Sequence, residues 1–493
     1  MNKKYYFLIT LLLLIFNNLN AQFNLIKNFG NYTSNFYVHN NKLYFSANEI
    51  DTNNTELWVY NSNMNTSSTN PKMVIDLDND TNTGSYPKNF ISYNGKLFFS
   101  NNQYLYSYDD TQPISGTNPQ IIGNRGNGLI VYNNKLYYEE ASQYPNSWLW
   151  VYDDNLPISA NNPKKLIDNE QINASSLRFK FQSIIYNNKL YYCGTNSNNQ
   201  DFELYVYDDN LSISSNNPIM VSDINSGTSY ASIPNDFIVF QNKLYFTADD
   251  GTGDELWSYD EVNNPLKVYD LDVSAYGGYF QNKVLYENNI YFSAHNNLGI
   301  ELWKYNETDN VQLVSDIYQG SEFSIPKNLT VYQNKLFFNA DNGINGRELW
   351  YYDANTSTSQ TNPKLIDVYN GSESGINTQN DIIVYNGNLY FSGKTSNSDY
   401  GLYQINSNAL EVVEITSNFR LNLYPNPSSK KITLKIYKGN FKQIQILNSI
   451  GQILSSKASL NQEEIIEFSN KGVYYIKVKT NDNRVEIKKV IIK

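Results

Sequence analysis

Two histidines, one cysteine and 48 acidic residues are the side chains of this 493-residue chain that could carry chemistry. A Ser-His-Asp or Cys-His relay needs a histidine placed for that purpose, and a zinc site needs several nitrogen or sulfur ligands. Neither is expected here. His39 stands in a slot that later segments fill with Tyr93, Tyr132, Tyr186, Phe240, Tyr286, Tyr332 and Tyr385, so it reads as a strand residue replacing an aromatic one. His295 takes the turn position of Asp249 and Asp341, and Cys193 takes the strand slot of Thr247, where a small core residue is expected. Most carboxylates also recur at turn positions, such as Asp153, Asp208, Asp260 and Asp353, where Asp caps a turn through its own side chain. One stretch, Asp76-Leu77-Asp78-Asn79-Asp80-Thr81-Asn82, spaces oxygen ligands as calcium loops do, but it lacks the glycine at the sixth place and has Pro87 where a bidentate Glu belongs. The residues therefore assign no catalytic group, no metal and no cofactor.

The recurring slots belong to a repeat, and Asn235 to Leu271 shows it most fully. FIVF, LYFTA, ELWSY and LKVYDL are four short strands, and the tight turn Gln241-Asn242-Lys243 joins the first two. The leucine after that turn recurs at Leu43, Leu97, Leu136, Leu190, Leu244, Ile290, Leu336 and Leu389. A second marker falls at Leu57, Leu105, Leu149, Leu204, Leu256, Leu302, Leu349 and Leu402, each followed by Trp or Tyr. Bulky residues on both faces of these strands require cover on both sides. A period near 50 residues with four strands per unit is the pattern of a propeller blade. The expected fold is all-β, a β-propeller of about eight blades over residues 22–416, with seven as the alternative. Phe23 to Phe29 has no meander before it and is expected to pair with a terminal blade and close the ring. Five repeats carry a longer loop ending in Asn-Pro, as in Asp109 to Gln120 and Asp153 to Lys164, which should lie on the surface.

Asp223-Ile224, Gly227, Ser229 and Pro234, followed by Asn242, Leu244-Tyr245-Phe246, Ala248, Asp250-Gly251, Gly253 and Glu255-Leu256-Trp257, resemble the consensus of bacterial ELWxxDGT repeat proteins. The strand order is also kelch-like, although the Gly-Gly pair ending the second kelch strand is absent. Neither resemblance implies one activity.

The ends of the chain concern export. Lys3 and Lys4, an apolar run from Tyr5 to Phe16 and Leu19-Asn20-Ala21 form a signal peptide over residues 1–21, with cleavage expected between Ala21 and Gln22. Twelve apolar residues are too few for a helix to cross a bilayer, which takes about 20, and no later segment is apolar enough to cross one. From Phe419 onward 14 basic residues face 5 acidic ones, whereas the preceding mature chain has 21 against 43. Such a break marks a domain boundary. The acidic ring argues against nucleic acid, and its single cysteine excludes an internal disulfide.

Leu423-Tyr424-Pro425-Asn426-Pro427, Ile444 to Leu454, Lys471-Gly472-Val473-Tyr474-Tyr475-Ile476 and Lys488-Lys489-Val490-Ile491-Ile492-Lys493 together resemble the type A C-terminal sorting domain of the type IX secretion system. The resemblance implies a small immunoglobulin-like β-sandwich over residues 417–493. Its sorting residues are Pro425, Asn426, Pro427, Gly472, Tyr474, Lys488 and Lys489, and its partner is the outer-membrane translocon. It also implies delivery through the periplasm, to the outer surface or the medium. For the ring, the absence of a catalytic cluster outside the repeat favours a non-enzymatic protein with a glycan- or protein-binding face. The alternative is an exported polysaccharide-degrading or other hydrolytic enzyme.

Overall fold

In the computed structural model the first leucine marker of each repeat sits in the second strand, and the second marker in the third strand, of a four-stranded antiparallel sheet; the sheets of the third and fourth repeats are continuous through the pairing of Trp148 with Arg178. The structure describes residues 23–405 and 421–493 except 32, 51, 79–82, 141–147, 167–177, 196–200, 227–230, 272–276, 357–361, 377–381, 398, 426, 437–439, 449–452, 459–460 and 481–484. The expected signal peptide and its expected cleavage site, Ala21 and Gln22, lie outside the described residues.

The sheets are blades. Blade 1 runs over Ser34–Ile75, blade 2 over Lys88–Asn124, blade 3 over Gly126–Lys165 and blade 4 over Arg178–Ser222. Blade 5 runs over Asn235–Tyr269, blade 6 over Gln281–Ser315 and blade 7 over Lys327–Ile366, and blade 8 opens at Ile382. Each first strand turns into the second through two left-handed residues, such as Asn40 and Asn41 (φ 45° and 55°) or Gln241 and Asn242 (φ 46° and 60°). Asparagine tolerates this conformation best among residues with a Cβ, which is why the turns are Asn-rich. The fourth strand of blade 3 is short, only Lys164–Lys165.

Blade 8 takes three strands from Ile382–Ile405 and its outermost from Phe23–Asn28, which pairs with Tyr400–Ile405. The strand Phe23–Asn28 therefore closes the ring as expected, covering an edge of the last blade that would otherwise present unpaired backbone groups. First strands neighbour one another all the way round, that of blade 8 lying against that of blade 1.

Core packing is between blades. The marker leucine, or Ile290, is 0% exposed in all eight blades, each such side chain contributing about 1.5–3 kcal/mol. The Trp or Tyr after the second marker stands opposite the aromatic of the second strand, as in Phe45 with Trp58, Phe246 with Trp257 and Phe338 with Trp350. Clusters such as Tyr286, Leu302, Leu336, Phe338 and Trp350 join one blade to the next.

The chain divides into two compact units, Met1–Asn406 and Ser407–Lys493. The second is a sandwich of a three-stranded and a four-stranded antiparallel sheet. Leu421, Ile432, Leu434, Phe441, Ile444, Ile476, Val478 and Val490 fill the space between its two sheets.

Candidate functional site

Where the slot at the end of the first strand holds a tyrosine, that residue is a clasp between blades; blade 5 has Phe240 there and blade 1 has His39. Tyr93 donates its hydroxyl to the Asn134 carbonyl (2.8 Å) and accepts the Asp154 amide (3.1 Å). Tyr132 does the same with Asn188 and Asp209, and Tyr286 with Asn334 and Ala354. Across the closure Tyr385 donates to the Asn41 carbonyl (2.9 Å) and accepts the Ser62 amide (3.1 Å). Beside the clasps, Lys42, Lys96, Lys135, Lys189 and Lys243 reach the next blade's Asp110, Asp154, Asp209, Glu261 and Glu307 at 2.6–3.0 Å.

A second repeated bond uses the slot of Cys193. Ser46, Ser100, Thr247 and Ser293 donate from it to the carbonyls of Pro87, Gly126, Phe280 and Pro326 at the entrance to the next blade. Cys193 itself is buried.

The Glu of the ELW strand is a third device. Glu56, Glu203, Glu255, Glu301 and Glu348 are 0% exposed. Glu301 accepts the amides of Ile317 (2.7 Å) and Ser324 (3.1 Å) and the Ser324 hydroxyl (2.6 Å). Glu348 accepts those of Val368 (2.7 Å) and Gly375 (2.6 Å). Loss of water pushes the Glu301 carboxyl up to about 7 and those of Glu255 and Glu348 up to about 8.

The five Asn-Pro loops are pinned by the asparagine, whose bond to proline is cis in each. Asn162 donates to the carbonyls of Asp153 (2.9 Å) and Leu156 (3.0 Å) and accepts the Asp153 amide (2.9 Å). Asn70, Asn118, Asn217 and Asn362 repeat this. On blades 1 to 4 the pinned loops hold Met64, Ile114, Leu156 and Leu211 exposed. A cleft of ≈ 320 Å³ opens beside the blade 2 loop, lined by Lys96, Asp109 and Gln112 among others.

Blade 1 departs from the repeat at the clasp, and the departure brings chemistry together. His39 is buried, and its Nδ1 lies 2.8 Å from the hydroxyl oxygen of Ser92 on the first strand of blade 2. Among the described residues its Nε2 has no hydrogen-bond partner, and it faces Asp110 Oδ1 at 3.9 Å. Burial lowers the imidazole pKa, so the neutral ring is favoured, while Lys42, Asn40 and Tyr44 bind the Asp110 carboxylate and hold its pKa down. Ser92 is exposed. It occupies the slot opposite the marker leucine, which is valine in blades 1, 3, 5, 7 and 8 (Val38, Val131, Val239, Val331, Val384), Ile185 in blade 4 and Leu285 in blade 6. Sequence reasoning missed Ser92; the signal was a hydroxyl breaking an otherwise aliphatic slot.

Two buried cations were also missed. The Lys283 ammonium is 0% exposed and bonds to Asp236 (3.1 Å), Thr247 (2.6 Å) and the Phe280 carbonyl (2.8 Å). Arg347 bonds to Asn339 (2.7 Å) and the carbonyls of Ser324 (3.0 Å) and Ile325 (2.8 Å).

His295 lies edge-on to Phe323 and donates its backbone amide to Gly278. In the candidate calcium loop Asp76 and Asp78 converge with Glu56 within 4.8 Å, but Asp80 lies outside the described residues. Of the sorting residues, Asn426 is likewise outside them. Pro425 and Pro427 are exposed, the Tyr474 ring lies tilted against Phe468 with centroids 4.7 Å apart, and Gly472, Lys488 and Lys489 lie in the last hairpin, paired with Ile492, Ile476 and Tyr475.

The two units thus define a β-propeller joined to a small β-sandwich. Residues 422–493 match the family described as Secretion system C-terminal sorting domain. The sandwich therefore marks the chain for type IX export to the cell surface or the medium. No curated protein is similar in sequence. Among solved structures, a prolyl endopeptidase is 10% identical, with 76% of this chain and 56% of that one aligned and a TM-score of 0.46. PorZ, a surface component of the type IX secretion system of Porphyromonas gingivalis, is 11% identical over 93% of this chain and 75% of its own (TM-score 0.30). The β-propeller domain of the Trilobed protease from Pyrococcus furiosus is 11% identical over 67% and 99% (TM-score 0.37). The chain spans 55–58% of the length of the peptidases it matches. The expectation that the chain is not an enzyme, which rests on the absence of a catalytic cluster outside the repeat, is not kept, since peptidases stand among these neighbours. Binding and hydrolysis both stay open.

Proposed function

We propose that the ring is a recognition module carried to the cell surface by its sorting domain, and that it holds an extracellular protein or glycan on the face bearing the Asn-Pro loops. The observation that supports this is the arc of pinned loops on four consecutive blades, each exposing an aliphatic side chain from a backbone already fixed by a buried asparagine. A fixed loop loses little conformational freedom on binding, so its contact area converts more fully into affinity. The likeness of the repeats to ELWxxDGT proteins fits a scaffold of this kind. The test is an array of glycans and peptides probed with the full chain and with a variant carrying Met64→Ser, Ile114→Ser, Leu156→Ser and Leu211→Ser. Loss of a wild-type signal in a folded variant supports the reading; an unchanged signal contradicts it.

A further inference from the structure

We propose that Ser92 is a nucleophile activated by His39, giving the ring a site for the hydrolysis of carboxylic esters with an apolar acyl group. The two residues break the repeat together: a histidine replaces the clasp tyrosine of blade 1, and a serine replaces the aliphatic residue of blade 2 that lies within its reach. Were His39 only a substitute clasp, a backbone carbonyl of the next blade would suffice as its partner, as it does for Tyr93, Tyr132 and Tyr286.

The polarity of the pair follows from its surroundings. Asp110 is the carboxylate facing the ring, so the tautomer with hydrogen on Nε2 is favoured, and Nδ1 is left to accept the Ser92 proton. The other charged and titratable groups around the imidazole are Lys42, Asp109 and Tyr44. Asp110 is a positioning residue, held by Asn40, Lys42 and Tyr44. The Tyr37 hydroxyl accepts the amide of Ser92 at 2.8 Å and keeps its own proton free to donate to an oxyanion. Phe90, two residues before Ser92 on the same strand, and Tyr37 lie in the same interface between blades 1 and 2 with ring centroids 6.4 Å apart, an apolar flank suited to an acyl chain.

The reaction balances without a cofactor. Ser92 Oγ bonds to the acyl carbon while its proton passes to His39 Nδ1. The tetrahedral adduct collapses, the ester C–O bond breaks, and the leaving alkoxide takes the proton from Nδ1. Water then gives a proton to the same nitrogen and adds to the acyl-serine. Ser92 leaves with that proton, and the carboxylic acid is released.

The test uses the full chain, a fluorophosphonate probe and p-nitrophenyl esters of two- to eight-carbon acids. Labelling mapped to Ser92 is expected, with ester hydrolysis. Ser92→Val and His39→Tyr restore the repeat residues and should fold, as judged by circular dichroism, yet lose hydrolysis by about a hundredfold or more. Asp110→Asn should move the half-maximal pH of the remaining rate downward, because the carboxylate that favours the imidazolium is gone. Absence of labelling and hydrolysis in the wild type, or their retention by folded Ser92→Val, overturns the proposal. An Asp110→Asn profile that stays in place removes Asp110 from it.

Discussion

At the scale of single residues, repetition turns one observation into eight, and departures from it become informative. Cys193 sits where other blades use a hydroxyl to bond the next blade's entrance carbonyl. Cys193→Ser is therefore expected to cost less than about 1 kcal/mol, since the new hydroxyl finds the partner its counterparts use; urea unfolding checks this, and a loss above about 2 kcal/mol contradicts it. The buried glutamates set a pH dependence. A carboxyl raised to about 7 or 8 in the folded ring binds protons that the unfolded chain has released. The stability this contributes is complete below the unfolded pKa near 4.5 and is lost as pH rises through 7 to 8. The depressed acids Asp110, Asp209 and Glu261 act only at lower pH, and the lowered His39 opposes the trend only near and below about 6.5. Thermal melts should give a lower midpoint at pH 8.5 than at pH 6.5, with a smaller difference in Glu348→Gln. A flat or rising midpoint would refute the assignment. His39 shows where sequence reading stops: its aromatic slot was legible, but nothing in the order of residues joins positions 39, 92 and 110, which meet only across a blade boundary.

At the scale of elements, the four-strand unit was legible because both leucine markers are buried in every copy, so each must recur. The loops were legible as surface turns, but the asparagine reads in sequence only as a residue that precedes proline. In the fold its amide is the hub of the loop. Asn162→Ala should cost about 1–3 kcal/mol through unpaired buried groups, and amide exchange should quicken across Asp153 to Asn162 without changing other blades. Protection that is unchanged in that loop would show the hub to be dispensable. The fourth strand of blade 8 was legible from an orphan strand at the chain's beginning; the fourth strand of blade 3 shrinks to two residues, which its sequence does not announce.

For the whole molecule, closure rests on Phe23–Asn28 pairing with blade 8 and on Tyr385 reaching blade 1. Tyr385→Phe should lower stability by about 1–2 kcal/mol, more than the same change at Tyr332, whose hydroxyl crosses to the next blade only through the Gly387 carbonyl (3.1 Å) and otherwise accepts the side-chain amide of its own neighbour Gln333 (3.0 Å). Equal losses at the two sites would contradict a special role for the closing clasp. Charge and contacts both part near residue 406–419, separating an acidic ring from a basic sandwich. Folding should thus belong to one unit and delivery to the other. The most direct test is to delete Phe419 to Lys493 and follow the protein by cell fractionation, protease access and circular dichroism. The account predicts a folded ring retained in the periplasm; a truncated chain that still reaches the surface would contradict it.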